Sequence, residues 1–262
     1  MELIGYLASA LIGLSLGLVG SGGSILTIPV MVYLFHIEPD LATAYSLFVV
    51  GVTALVGGVR SSLNHTVDRK ATVVFAIPSL MSVFVIRHWI MPLIPHQLAT
   101  FGAFTLTRAI ALMLLLAVLM LAAALGMIRD RQEPARAAAT RPHPFIFLVG
   151  LGVGLITGLV GAGGGFLIIP ALVFFAGLPM KKAVGSSLLI VATNSLVGFV
   201  GDLASGQIID FPFLLLVAFI AVAGILLGGY LARFIEGQKL KKAFGWFVLV
   251  MGIYILVHET LL

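Results

Sequence analysis

Gly17-Leu18-Val19-Gly20-Ser21-Gly22-Gly23-Ser24, with Pro29 five residues further on, returns 141 positions later as Gly158-Leu159-Val160-Gly161-Ala162-Gly163-Gly164-Gly165 with Pro170. Both copies lie inside apolar sequence. Glycines weaken a helix that passes through them, yet they let bare backbone N–H groups face a ligand with no Cβ in the way. Two such breaks, one per half, predict a binding site made of broken helices, as membrane transporters use.

The composition fixes the class. With 61% of its 262 residues hydrophobic, 10% charged and a mean hydropathy of +1.20, the chain is too apolar to leave its surface to water, and a lipid bilayer is its expected surroundings. The apolar runs are continuous rather than alternating, which reads as helices and not as barrel strands. The formal charge of +5 and pI near 9.7 do not point to nucleic acid. The basic residues sit in short loops between apolar runs, where they set membrane orientation. There is no cysteine, which excludes disulfides, thiolate metal sites and Cys nucleophiles. The opening Met1-Glu2, with Arg60 as the first basic residue, does not read as a cleaved signal. No nucleotide-binding loop is visible, so no cofactor is expected.

Apolar segments fall at about 3–19, 24–36, 41–58, 71–91 and 103–127, then at 144–160, 165–178, 183–200, 211–232 and 242–258. This divides the chain into a first repeat (1–128), a charged, Pro-containing cytoplasmic linker (129–143) and a second repeat (144–262). Segments 24–36 and 165–178 span only roughly 20 Å as helices, against a hydrocarbon core of about 30 Å. The same offset of 141 pairs Ala42, Ser46, Leu47 and Val50 with Ala183, Ser187, Leu188 and Val191, and Leu55-Val56-Gly57 with Leu196-Val197-Gly198. Five segments per half is odd, so the second copy must enter from the opposite side. The expected fold is an all-α polytopic membrane protein of two inverted five-segment repeats with Gly-rich broken or re-entrant helices.

Counting ten crossings puts 13 of the 15 Lys and Arg on one side, leaving Arg87 and Arg108 on the other. The rich side is cytoplasmic by the positive-inside rule, and both termini face outward. Six crossings plus two re-entrant hairpins satisfy the same count. The hairpins are preferred, because they explain the short second arms.

The paired Gly-rich turns with their prolines, the Ala183-Val184-Gly185-Ser186-Ser187 run and the length resemble the sulfite exporter TauE/SafE family of bacterial membrane transporters, over nearly the whole chain. The resemblance implies a multi-pass protein of the bacterial cytoplasmic membrane that moves small sulfur-containing anions such as sulfite, thiosulfate or organosulfonates. Members differ in substrate. The first copy departs from the second in carrying Ser21 and Ser24 where the second has Ala162 and Gly165, so the half-sites are expected to contribute unequally.

The chemistry of the turns suits an anion. Helix starts have unpaired N–H groups and a partial positive charge, and they hold an oxyanion without a buried Lys or Arg. The expected substrate-binding set is Ser21, Gly22, Gly23, Ser24, Ser46, Gly163, Gly164, Gly165, Ser186, Ser187 and Asn194. The bland alternative is that glycines let helices approach and that serines bond their own backbone. Arg108, read as five or six residues into its segment, is an anion-vestibule candidate, with snorkelling to the headgroups favoured. Asp202 is a coupling candidate for a proton or sodium ion, with a solvated helix-end carboxylate favoured. Arg87, His88 and Trp89 read as an interfacial anchor. His36, Glu38 and Asp40 read as solvated loop residues rather than a metal site. A secondary transporter is preferred over a passive anion channel. An intramembrane enzyme ranks last, since Ser21 has no matching His and Asp202 no second carboxylate.

Overall fold

A computed structural model describes the chain apart from residues 1, 96, 102–103, 130–142, 161–164, 205–208, 233, 235–236 and 262. Most of the 129–143 linker therefore lies outside the described residues. Among those described, six helices are long and apolar enough to cross a membrane.

α1 (Glu2–Val19) stops where Gly20 takes a φ of +76°, a left-handed conformation that suits glycine. The chain then turns back through a 3-10 stretch (Gly20–Leu26), α2 (Thr27–Pro29) and a π-helical stretch (Val30–Leu34). At the top of this return arm, Phe35 meets the ring of Tyr6 edge-on at 5.5 Å and presses on Gly5. Residues 2–35 are thus a hairpin with the glycine turn at its tip. α7 (His143–Val160) and α8 (Gly165–Phe174) fold back in the same way, bringing Phe145 to within 5.7 Å of Phe175.

α3 (Pro39–Leu63) and α9 (Met180–Ala204) are antiparallel, with Gly51 against Leu196 and Gly58 against Leu189. α4 (Arg69–Val85) continues through a π-helical stretch (Ile86–Ile90) into α5 (Met91–Leu93) and runs parallel to α9, where Gly198 meets Val83. α10 (Phe211–Leu231) lies along α1, with Gly13 on Ala221 and Gly17 on Gly228. α6 (Arg108–Ile128) and α11 (Gly237–Leu261) pair at the side of the bundle, Gly252 facing Met120. In lipid, apolar side chains gain little by meeting one another, so close backbone approach at small residues does much of the holding. Large apolar side chains such as Leu7, Leu11, Phe219 and Leu227 remain on the outside, as suits contact with acyl chains.

Tyr45 and Gly57 of α3 meet Phe213 and Ile225 of α10, and Gly150 and Gly158 of α7 meet Phe75 and Ile86 of the α4 run, so α1, α3 and α10 run one way and α4, α7 and α9 the other. α7 and α9 have the lengths of α1 and α3, 18 and 25 residues, and each starts 141 positions after its counterpart. His36 (φ 55°) and Gly177 (φ 67°) are the same distance apart. The bundle has a basic end, carrying Arg60, Arg69, Lys70, Lys181 and Lys182, and a far end, where α3 and α10 begin.

One part differs from expectation. Where the sequence reads as helix from 103, the chain first forms a two-stranded antiparallel hairpin, β1 (Gln97–Phe101) with β2 (Phe104–Thr107). Threonines and phenylalanines fit a pleated strand. Thr107 then caps α6, its hydroxyl accepting from the Ile110 N–H at 3.2 Å. Arg108 is consequently the first residue of α6 rather than a residue five or six positions inside it.

Candidate functional site

The two glycine turns touch. The Ser21 hydroxyl donates to the Gly165 carbonyl at 2.9 Å, and a Cβ on Gly165 would collide with Ser21. Gly163 and Gly164 lie outside the described residues. On the first turn every residue from Gly20 to Leu26 is buried. Gly20 abuts Val184 of α9, and Gly22 and Gly23 follow within the 3-10 stretch.

The expected hydroxyls are buried but differ in how they are used. Ser46 donates to the Thr43 carbonyl at 2.8 Å, and Ser187 to the Val184 carbonyl at 2.8 Å, each back-bonding to its own helix. Ser186 accepts from the Asp68 N–H at 2.9 Å, which ties α9 to the start of α4, itself capped by Asp68. Asn194 donates to the Ser79 hydroxyl between α9 and α4, leaving its carbonyl oxygen without a partner. Ser24 is different. Its hydroxyl is fully buried beside the turn and has no hydrogen-bond partner among the described residues. Thr27 in the return arm, Thr53 in α3 and Ser195 in α9 share that condition. Buried polar groups are nearly always satisfied, so each of these hydroxyls is free for a further polar contact.

Asp202 is not a solvated helix-end carboxylate. It is 3% exposed and pairs with Arg87 at 3.1 Å. Arg87 also donates to the Thr43 hydroxyl at 3.0 Å, while its Nε and second amino nitrogen have no partner among the described residues. The group is therefore a buried ion pair joining α3, α4 and α9 near the far end. Arg87 belongs to a π-helical stretch, a widening often found at functional positions. Gly201 makes room for it, since its position faces the Arg87 Cβ. The sequence misreads Arg87 as an anchor because its partner lies 115 positions away in the other half.

Arg108 is neither free nor snorkelling. Its guanidinium grips Asp40 through two nitrogens, the shorter bond 2.6 Å, and donates to the Met91 and Ile94 carbonyls at 3.1 Å. It fastens the chain around α5 to the start of α3. Asp40 is thereby an ion-pair partner rather than a solvated loop residue.

Two cavities open at opposite ends of α3. At the basic end, a cavity of about 540 Å³ is lined by Gly57, Arg60, Ser61, Lys181, Val184 and Leu188 among others. At the far end, a smaller one of about 370 Å³ is bounded by Tyr6, Phe35, His36, Tyr45, Asp210 and Phe213. Gly20, at the edge of the first turn, rests on Val184 of the larger cavity.

A family model described as "Sulfite exporter TauE/SafE" matches residues 5–255. A probable membrane transporter protein of Xylella fastidiosa (strain 9a5c) is 30% identical over 95% of this chain and 92% of its own length. The probable membrane transporter protein YunE of Bacillus subtilis (strain 168) is 27% identical over 96% of this chain and 95% of its own length. A third relative, probable membrane transporter protein MJ0441 of Methanocaldococcus jannaschii, is 35% identical over 42% of this chain and 43% of its own. No solved structure matches the chain.

Proposed function

Because the chain belongs to the sulfite exporter TauE/SafE family, a family of membrane transporters, we propose that it is a secondary transporter carrying small sulfur-containing anions outward. The cargo class is sulfite, thiosulfate or an organosulfonate, and the mechanism is alternating access between two inverted repeats. The observation that carries the mechanism is the unequal state of the two ends. Ser61 and Val184 line the open cavity at the basic end. Their counterparts under the 141-residue offset are Asp202 and Thr43, which at the far end are buried with Arg87 in the ion pair. Similar segments in opposite orientations, parted around a cavity at one end and locked by the buried ion pair at the other, suit an inward-open state, with the basic end toward the cytoplasm and both termini outside.

Ser24 and the backbone of the joined glycine turns are the anion-binding groups, and Asp202 is the carboxylate for a coupling proton. A passive channel fits less well, since the described residues line two separate cavities rather than one continuous pore. Enzyme chemistry has little support: the Ser21 hydroxyl donates a hydrogen bond to a backbone carbonyl, and Asp202 faces an arginine instead of a second carboxylate. The test is the apparent melting temperature of the purified protein with sulfite, thiosulfate, sulfate, taurine, sulfoacetate or chloride. At least one sulfur anion is expected to raise it with concentration while chloride does not. Equal response to chloride, or response to none, refutes the substrate class.

A further inference from the structure

Resting on that transporter reading, we infer that the cavity at the basic end is a loading site, separate from the glycine turns, in which Arg60 and Lys181 hold a small oxyanion. Its volume of about 540 Å³ falls within the roughly 300–1,000 Å³ typical of small-molecule sites. Among the described residues the lining carries two cations and the polar side chains of Ser61, Asn64 and Thr66, with no carboxylate. Asp68, close in sequence, does not line it and is occupied as the cap of α4, accepting from the Ala71 N–H at 3.0 Å. A guanidinium has five N–H donors, and the partner Arg60 has among the described residues is the Leu226 carbonyl at 3.1 Å. Lys181 is exposed at the rim. A cleft lined by charge of one sign concentrates the opposite ion within it.

The inner boundary gives the cavity its direction. Val184 lines it and also abuts Gly20, so an anion between Arg60 and Lys181 is separated from the first turn by one side chain. Orientation in the membrane alone does not require these positions to be basic, because any loop lysine serves that purpose. Lys182 supplies the control. It carries the same charge one residue further along α9 and does not line the cavity.

The deciding experiment is titration of purified protein with sulfite, thiosulfate and sulfoacetate at low and high ionic strength. Wild type is compared with Arg60→Gln, Lys181→Gln and Lys182→Gln. The site predicts about tenfold weaker binding for each of the first two, unchanged binding for Lys182→Gln, and a salt dependence that shrinks in the Arg60 and Lys181 variants. Lys181 is exposed and makes no hydrogen bond or ion pair among the described residues, so its variant keeps the test decisive if Arg60→Gln loses stability. Wild-type affinity in Lys181→Gln, or an equal loss in Lys182→Gln, overturns the loading site and leaves the transporter reading intact. A wild-type protein that binds none of the three anions overturns both.

Discussion

Replacing Asp202 by Asn keeps the shape of the side chain and removes its charge. The Arg87 side chain is 1% exposed and 3.1 Å from that carboxylate, with the Thr43 hydroxyl as its other hydrogen-bond partner. Stranding one member of a buried ion pair costs about 3–5 kcal/mol. If the pair is a closure that opens during transport, this penalty falls on the closed form alone, because opening the far end lets water reach Arg87. At about 1.4 kcal/mol per factor of ten, the balance moves toward the open form by roughly a hundredfold or more. Leu47 reports the shift: it is 1% exposed, and its side chain packs at Gly198 below the closure. The chain has no native cysteine, so Leu47→Cys is a clean target for a membrane-impermeant thiol reagent applied from outside. Labelling should be slow with Asp202 present and about a hundredfold faster in Asp202→Asn. Unchanged labelling together with lower thermal stability identifies the pair as a structural clamp and refutes the closure.

Ser24→Ala should weaken binding of the preferred sulfur anion about tenfold to a hundredfold, the worth of one hydrogen bond to a charged ligand, whereas Ser187→Ala, whose donor is held by its own helix, should stay within about threefold; isothermal titration distinguishes them. Asp40→Asn removes the carboxylate from Arg108 but leaves its carbonyl partners, so a partly exposed pair should cost about 1 kcal/mol, read as a lower melting temperature with transport retained. Cysteine placed between residues 129 and 143 should be shielded from the impermeant reagent in intact cells while one at position 38 is labelled, and the reverse pattern inverts the orientation.

Local signals made the helical hairpins readable. The repeated glycine turn and its proline mark where α1 and α7 stop, and the apolar runs of α3 and α9 stand out by their shared offset of 141 positions. The strand pair before α6 was not readable, because Phe101 to Thr107 runs without a break into the apolar helix that follows and its alternation covers too few residues. The Arg87–Asp202 pair was hidden for another reason. Each residue stands near the end of an apolar run, where a solvated or anchoring role is the ordinary one, and their meeting depends on two helices from different halves lying side by side. Serine counting likewise gives positions but not partners. Ser46 and Ser187 look like Ser24 in the sequence, yet they bond to their own helices while Ser24 has no partner among the described residues.

Counterflow in proteoliposomes is the most direct test of alternating access. Vesicles loaded with unlabelled sulfite and diluted into a trace of labelled sulfite should accumulate label transiently above its equilibrium level, because a carrier returns loaded with whichever anion it meets. Accumulation of that kind in wild type, absent in Ser24→Ala at the same trace concentration, is the result expected here. Label that only equilibrates, without overshoot and at a rate that does not saturate, would contradict the account and indicate a channel.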